Sequence, residues 1–548
     1  MTIYSSWQFY SYLLLLSIFL SACNYQDTQV DMVVHNAVIY TVDDAFTVAE
    51  AMAIDSGRIV AIGPEREIMN KYKGEQMVDA GSRPIYPGFI DSHTHFVEHG
   101  LYENQVDLTG TKSWEECVER IQEFASSSPS LWIEGHGWDQ NDWEIQQFPA
   151  KDALDRLFPD RPVILDRIDK HASLANSKAL ELALIEGPKR VIGGEIMVDD
   201  EGEMTGMLID KAAYLVKDVI PAPDEDLLKR AMSRAQEDCF EYGITTVAEA
   251  GLDTTSIRLI QKMHAEGELL IRIYAMLLAD DAGREFMKRG KVLEDRLTVR
   301  SVKLYGDGAL GSRGAALKHD YHDKEGHRGA LLHQPIFFKQ WAALCDLYGF
   351  QMNTHCIGDR ANQIILSVYQ DQLKGTNDKR WRIEHAQVVT GNDIAMFGRN
   401  NILPSVQPVH AMSDMPWVEE RIGAERVDGA YANASLLGEN GLVLLGTDFP
   451  IEGMDPLQTF YASVFRKNAQ GEPEEGWHME ESLTREQALR GMTIWGAIGN
   501  FEEEQKGSLE VGKVADFIIM DRDIMQVEES EILDSQVLST FVHGVKVK

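Results

Sequence analysis

Three features of the sequence predict an α/β fold: eight apolar strand-like runs alternating with helical patterns, short β-structure at both ends, and a long interruption after the first run. The architecture expected is a (β/α)8 TIM-like barrel with a small β-sandwich assembled from both termini. Residues 1–22 read as a signal peptide and 23–83 as the first part of the sandwich. The barrel spans 84–500 with an insertion over roughly 110–220, and 501–548 completes the sandwich.

The elements justify this division in chain order. Residues 31–42 place Met32, Val34, Ala37 and Ile39 at strand-like spacing, and 51–62 repeat the pattern around a turn at Asp55-Ser56-Gly57-Arg58. Residues 515–520 and 537–547, the latter broken at Gly544, read the same way at the other end. The eight central runs are 86–95, 245–250, 271–278, 301–307, 350–355, 381–385, 402–407 and 442–448. Helices fit between them. Residues 226–240 align Leu227, Leu228, Ala231, Ala235 and Cys239 on one face. Thr484 with Gln487 forms a capping box opening a helix expected to run through Trp495. Two further strand-like runs, 131–137 and 162–166, fall inside the insertion.

The chain has 548 residues, too many for one ordinary core. Its net charge of -35 argues against nucleic acid or anionic lipid as a partner. The expected partners are a small-molecule substrate and, at most, a second copy of the chain as a homodimer. The apolar run 13–20 is too short to span a bilayer and ends in Leu20-Ser21-Ala22-Cys23, which resembles a bacterial lipobox. Cys23 is then the lipidated residue, and the protein is exported and lipid-anchored at the cell envelope, although no Lys or Arg precedes the apolar run. Cys117, Cys239, Cys345 and Cys356 form no CxxC pair and read as buried free thiols.

Polar residues ending barrel strands converge at the C-terminal face of such a fold. Here they are His93, His95, Lys303, His355, His385 and Asp448. His93 and His95 are two apart on one strand, so both point the same way and can grip one ion. Each feature alone is common; all six on predicted barrel strands make a metal site the better reading.

Gly88-Phe89-Ile90-Asp91-Ser92-His93-Thr94-His95 resembles the first-strand motif of the amidohydrolase superfamily, and Gly446-Thr447-Asp448 resembles its last-strand motif. The stretch Val302-Lys303-Leu304-Tyr305-Gly306-Asp307-Gly308-Ala309-Leu310-Gly311-Ser312-Arg313 resembles the YtcJ-like branch, which includes N-substituted formamide deformylases. So do Gly135-His136-Gly137-Trp138-Asp139 and Ser405-Val406-Gln407-Pro408. The resemblance implies that His93 and His95 bind a first divalent metal and His355 and His385 a second. It also implies that Lys303 is carboxylated and bridges them. The alternative is a single metal, with Lys303 an ammonium that anchors a substrate anion or pairs with Asp307. Imidazole and carboxylate ligands suit zinc, with manganese and iron as alternatives.

The expected function is hydrolysis of a non-peptide carbon–nitrogen bond, amide-like, N-acyl or N-formyl, by metal-activated water. Asp448 serves as ligand and base, and His171 assists the oxyanion or contacts substrate. Trp138, Asp139, Arg313 and His410 are candidate substrate-binding residues. Trp138 with Trp143 would form an aromatic wall, and Arg313 would take a substrate carboxylate. The rival readings are a deaminase, an ester, lactone or phosphoester hydrolase on the same site, and an envelope solute-binding protein that has lost catalysis.

Overall fold

The computed structural model describes residues 28–548 apart from residue 129. The leader and Cys23 lie outside the described residues. All eight expected barrel strands are present. They are Phe89–Thr94, Ile244–Leu252, Arg272–Leu278, Leu297–Tyr305, Gln351–Cys356, Arg382–His385, Leu403–Val406 and Leu444–Leu445. Each pairs in parallel with the next, as in Ala248↔Tyr274 and Lys303↔Asn353.

The ring closes between the eighth and first strands. Asp448 N donates to His93 O at 2.9 Å and His95 N to Phe449 O at 2.8 Å. Asp91 buckles this seam, accepting from Thr447 N (3.0 Å) and Thr447 Oγ1 (2.6 Å). Gly446 lets the strands approach: a Cβ there would lie 2.7 Å from His93 N. Inside the ring, Ala248, Ala250, Tyr274 and Met276 pack together. Outside it, helices press apolar faces on the strands, as Met232, Ala235 and Cys239 of Glu225–Glu241 do. Asp224 caps that helix by accepting from Leu227 N.

The strands of both termini join in one eight-stranded sheet, where Phe517–Met520 lies antiparallel to Tyr72–Pro87. The sheet folds over so that the turn before its edge strand Arg58–Gly63 meets the segment leading into Phe517–Met520, with Ala515 N donating to Gly57 O at 2.9 Å. Met32, Ile54, Ile85, Phe517 and Phe541 fill the sandwich core. The Thr484–Gln487 capping box is present, but its helix ends at Gly491 and a second begins at Ile494. Gly491 packs closely on Leu445, and Thr493 leaves helical geometry there.

The insertion is a domain-like sheet of six strands, in the order Gly194–Val198, Met204–Asp210, Ala172–Ala175, Val163–Arg167, Ile133–Trp138 and Val106–Asp107. Only two of them carry a strong apolar signal in sequence. Its own core includes Leu108, Ile121, Leu165, Leu174 and Met207. All four described cysteines are buried and free. Among the described residues no helix is long and apolar enough to cross a membrane.

Barrel and sandwich are locked by a buried ion pair: Arg272 Nε lies 2.6 Å from Asp516 Oδ2, and Asp516 also accepts from His543 N at 2.7 Å. Arg272→Met strands that carboxylate without its cation. We expect a loss of about 3–5 kcal/mol, read as a fall in the denaturant midpoint. Adding Asp516→Asn should recover most of it.

Candidate active site

The six strand-end residues converge at the C-terminal mouth of the barrel. Asp448 Oδ1 lies 3.3 Å from His95 Nε2 and 3.7 Å from His93 Nε2. Its Oδ2 lies 3.9 Å from His385 Nδ1 and 3.6 Å from His410 Nε2. Lys303 Nζ sits 3.0 Å from His93 Nε2. The ligand atoms of His93, His385 and Asp448 all lie within 4.8 Å of one another. Ring centroids of His355 and His385 are 4.6 Å apart, and those of His355 and His171 are 5.2 Å apart.

These groups fit a metal. His355 Nε2, His385 Nδ1, His410 Nε2 and Asp448 Oδ1 are buried and find no hydrogen-bond partner among the described residues. So many orphaned lone pairs in one buried spot would be costly unless a cation collected them. Burial, with neighbouring cationic groups, holds the His93, His355 and His385 imidazoles below their ordinary range, so they keep their lone pairs. Burial pushes the Asp448 carboxyl up, but His93, His95 and His385 outweigh it and hold it well below its usual value. Burial also lowers Lys303, which favours its neutral amine.

The backbone aims these side chains. His385 (φ 71°) and Asp448 (φ 63°) both adopt the left-handed region at strand ends. That strain is characteristic of functional positions. It breaks strand alternation, so Glu384 and His385 both face the barrel interior. Glu384 Oε2 takes His93 Nδ1 at 2.6 Å, leaving Nε2 turned to the site. Sequence reading missed Glu384; its place directly before a ligand was the available signal. It also left Lys303 a choice between the metal site and Asp307. Asp307 instead accepts from the backbone N–H groups of Ala316, Ile357 and Gly358.

The mouth opens into a cavity of about 1130 Å³ walled by barrel and insertion, with His171, Asp139 and His410 on its lining. His171 Nδ1 is 2.6 Å from Asp210 Oδ1. A Cβ on Gly308 or Gly314 would meet the Asp210 carboxylate at 2.6 Å, so the glycine-rich loop after the fourth strand is a socket for the insertion. Asp139 pairs with Arg167.

Two expected contacts do not occur. Trp138 does not wall the cavity: its ring is fully buried in the insertion core beside Trp143, with Nε1 donating to Leu165 O at 3.0 Å. Arg313 does not face substrate either. Its φ of 61° turns it to Asp323, 2.7 Å from Nη2.

Glu384→Gln keeps the shape but weakens the partner of His93 Nδ1. Competition with a chelator should show metal affinity reduced by about 10–100-fold.

Comparison with known proteins finds relatives over most of the chain. The chain is 32% identical over 536 residues to Protein LONG AFTER FAR-RED 3 of Arabidopsis thaliana, covering 94% of this chain and 91% of that protein. It is 29% identical to the putative amidohydrolase YtcJ of Bacillus subtilis (93% and 98% covered). It is 27% identical to the N-substituted formamide deformylase of Arthrobacter pascens (94% and 98%). A crystal structure of a metal-dependent hydrolase from Pyrococcus horikoshii superposes with a TM-score of 0.73 at 28% identity, covering 91% of this chain and 99% of that one. Residues 76–547 match the amidohydrolase family, and the chain belongs to that family of carbon–nitrogen hydrolases.

Proposed function

We propose that the chain is a metal-dependent hydrolase of a non-peptide amide-like bond, N-acyl or N-formyl, in a small molecule. The observation that carries this reading is the convergence of strand-end histidines and Asp448 with their ligand atoms unpaired. His93, His95, His355, His385 and Asp448 would hold one or two divalent ions, zinc by ligand type, and a carboxylated Lys303 would add an anionic ligand to them. A bound metal supplies an acidified water and polarises the carbonyl.

The side chains do the rest. Asp448, ionised at neutral pH, accepts the water's proton at its carboxylate and returns it to the leaving nitrogen. His171, fixed by Asp210, faces the same cavity and is placed to hydrogen-bond the substrate's oxygen. His410 and Asp139 shape the wall. The apolar run and Cys23 support export and lipid anchoring at a bacterial envelope. Cys23→Ser should then move the protein from the membrane fraction to the soluble one.

Elemental analysis with an amide panel tests the reading. Wild type should hold about one or two divalent metals per chain, with loss in both His93→Ala and Lys303→Ala. Asp448→Asn should cut kcat by about 10²–10⁴-fold. Protein without metal after expression in metal-supplemented medium would overturn the proposal. Release of ammonia, rather than an amine and an acid, would make the enzyme a deaminase.

A further inference from the structure

We propose that Lys211, backed by His333, binds a carboxylate on the substrate, so that the amide hydrolysed is anionic, of the N-acyl or N-formyl amino-acid type. This rests on the amide-hydrolase reading above and names the substrate class for that site.

The cavity wall supplied by the insertion carries several cations, and nearly all are matched. Arg167 pairs with Asp139 and Asp169, Lys170 with Glu98 at 2.5 Å, and Lys217 with Asp166 at 2.8 Å. Lys303 belongs to the metal centre. Lys211 differs: among the described residues its Nζ forms no ion pair, and its polar contacts are the two ring nitrogens of His333, at 3.2 Å and 3.5 Å. Burial lowers its pKa, with no carboxylate nearby to raise it again. An uncompensated, half-buried ammonium is unexpected in a chain with 87 acidic residues.

His333 is suited to stand behind it. Its ring stacks on Phe337 with centroids 3.7 Å apart. Burial and Lys211 push its pKa down to about 4, so it is a neutral acceptor at ordinary pH. It can take one ammonium proton and leave the others for a ligand.

The position is right for a substrate group. Lys211 follows Asp210, which holds His171, whose ring lies 5.2 Å from that of His355. Lys211 and His333 line the same cavity as His355 and His385, with Tyr214 and Leu332 beside them. A substrate whose amide is seated at the metal centre therefore shares its cavity with the Lys211 ammonium. In a cavity, an ammonium–carboxylate contact is screened less than at an open surface.

Matched substrates test this. N-formyl-leucine and N-(3-methylbutyl)formamide differ by the carboxylate alone and are compared in wild type, Lys211→Met and Lys211→Arg. Wild type should favour the acid in kcat/KM by about 10–100-fold, mainly through KM. Lys211→Met should remove that preference, and Lys211→Arg should keep most of it. Equal or better turnover of the neutral amide by wild type would overturn the proposal, as would equal losses on both substrates in Lys211→Met. If metal-loaded wild type hydrolyses neither compound, the amide-hydrolase reading fails separately. Calorimetry of the same pair then decides the subsite: acid-selective binding lost in Lys211→Met supports it, and equal binding of acid and neutral twin overturns it.

Discussion

The site depends on how the barrel is closed. The first and eighth strands bring His93, His95 and Asp448 together, and they meet at a seam rather than along a long ladder, since Leu444–Leu445 is only two residues of regular strand. Asp91 carries that seam. Its carboxylate accepts from two groups of Thr447 and from His93 N, while burial pushes its pKa up to about 7. The two bonds from Thr447 cross the seam and fix the relative height of the two strands, and with it the separation of His95 Nε2 and Asp448 Oδ1, while the bond from His93 N holds the carboxylate in place. Gly446 is the complementary requirement, because any side chain there would push the strands apart.

A second division of labour follows from the insertion. The floor of the cavity, made of metal-ligating types, is built on barrel strands. The wall that carries His171, Asp210 and Lys211 is built on a sheet with its own core and plugged into the glycine-rich loop through Asp210. The loop's glycines thus serve backbone approach to a carboxylate, and its arginine, Arg313, serves an internal ion pair with Asp323. Recognition of a substrate charge then falls to a lysine of the insertion, at the head of a helix that packs in the insertion's own core.

Much of this was legible in the sequence. Eight strands could be counted because buried parallel strands write themselves as short apolar runs, and the candidate metal-binding residues could be picked out because each lies at or near the end of such a run. The insertion was less legible. Strands such as Gly194–Val198 are half exposed and mix polar with apolar residues, so they lack a sharp period. Trp138 and Arg313 show the limit of position along the chain as a guide: one indole turns into a core and one guanidinium towards a local acid, and neither direction is written in the neighbouring residues. Lys211 was missed for the same reason, and Glu384 despite its place beside His385. Their importance lies in the presence or absence of a partner far away in sequence.

The terminal sandwich has a consequence for how the chain is made. Tyr40 donates to Asp523, 483 residues further on, and the strand Tyr72–Pro87 waits for Phe517–Met520 to cover its edge. During synthesis the first strands must remain uncovered until nearly the whole polypeptide has emerged. An apolar strand edge left open that long invites pairing with another nascent chain. The barrel between can close in the meantime, while a product cut short near its C-terminus would keep that edge exposed for its lifetime.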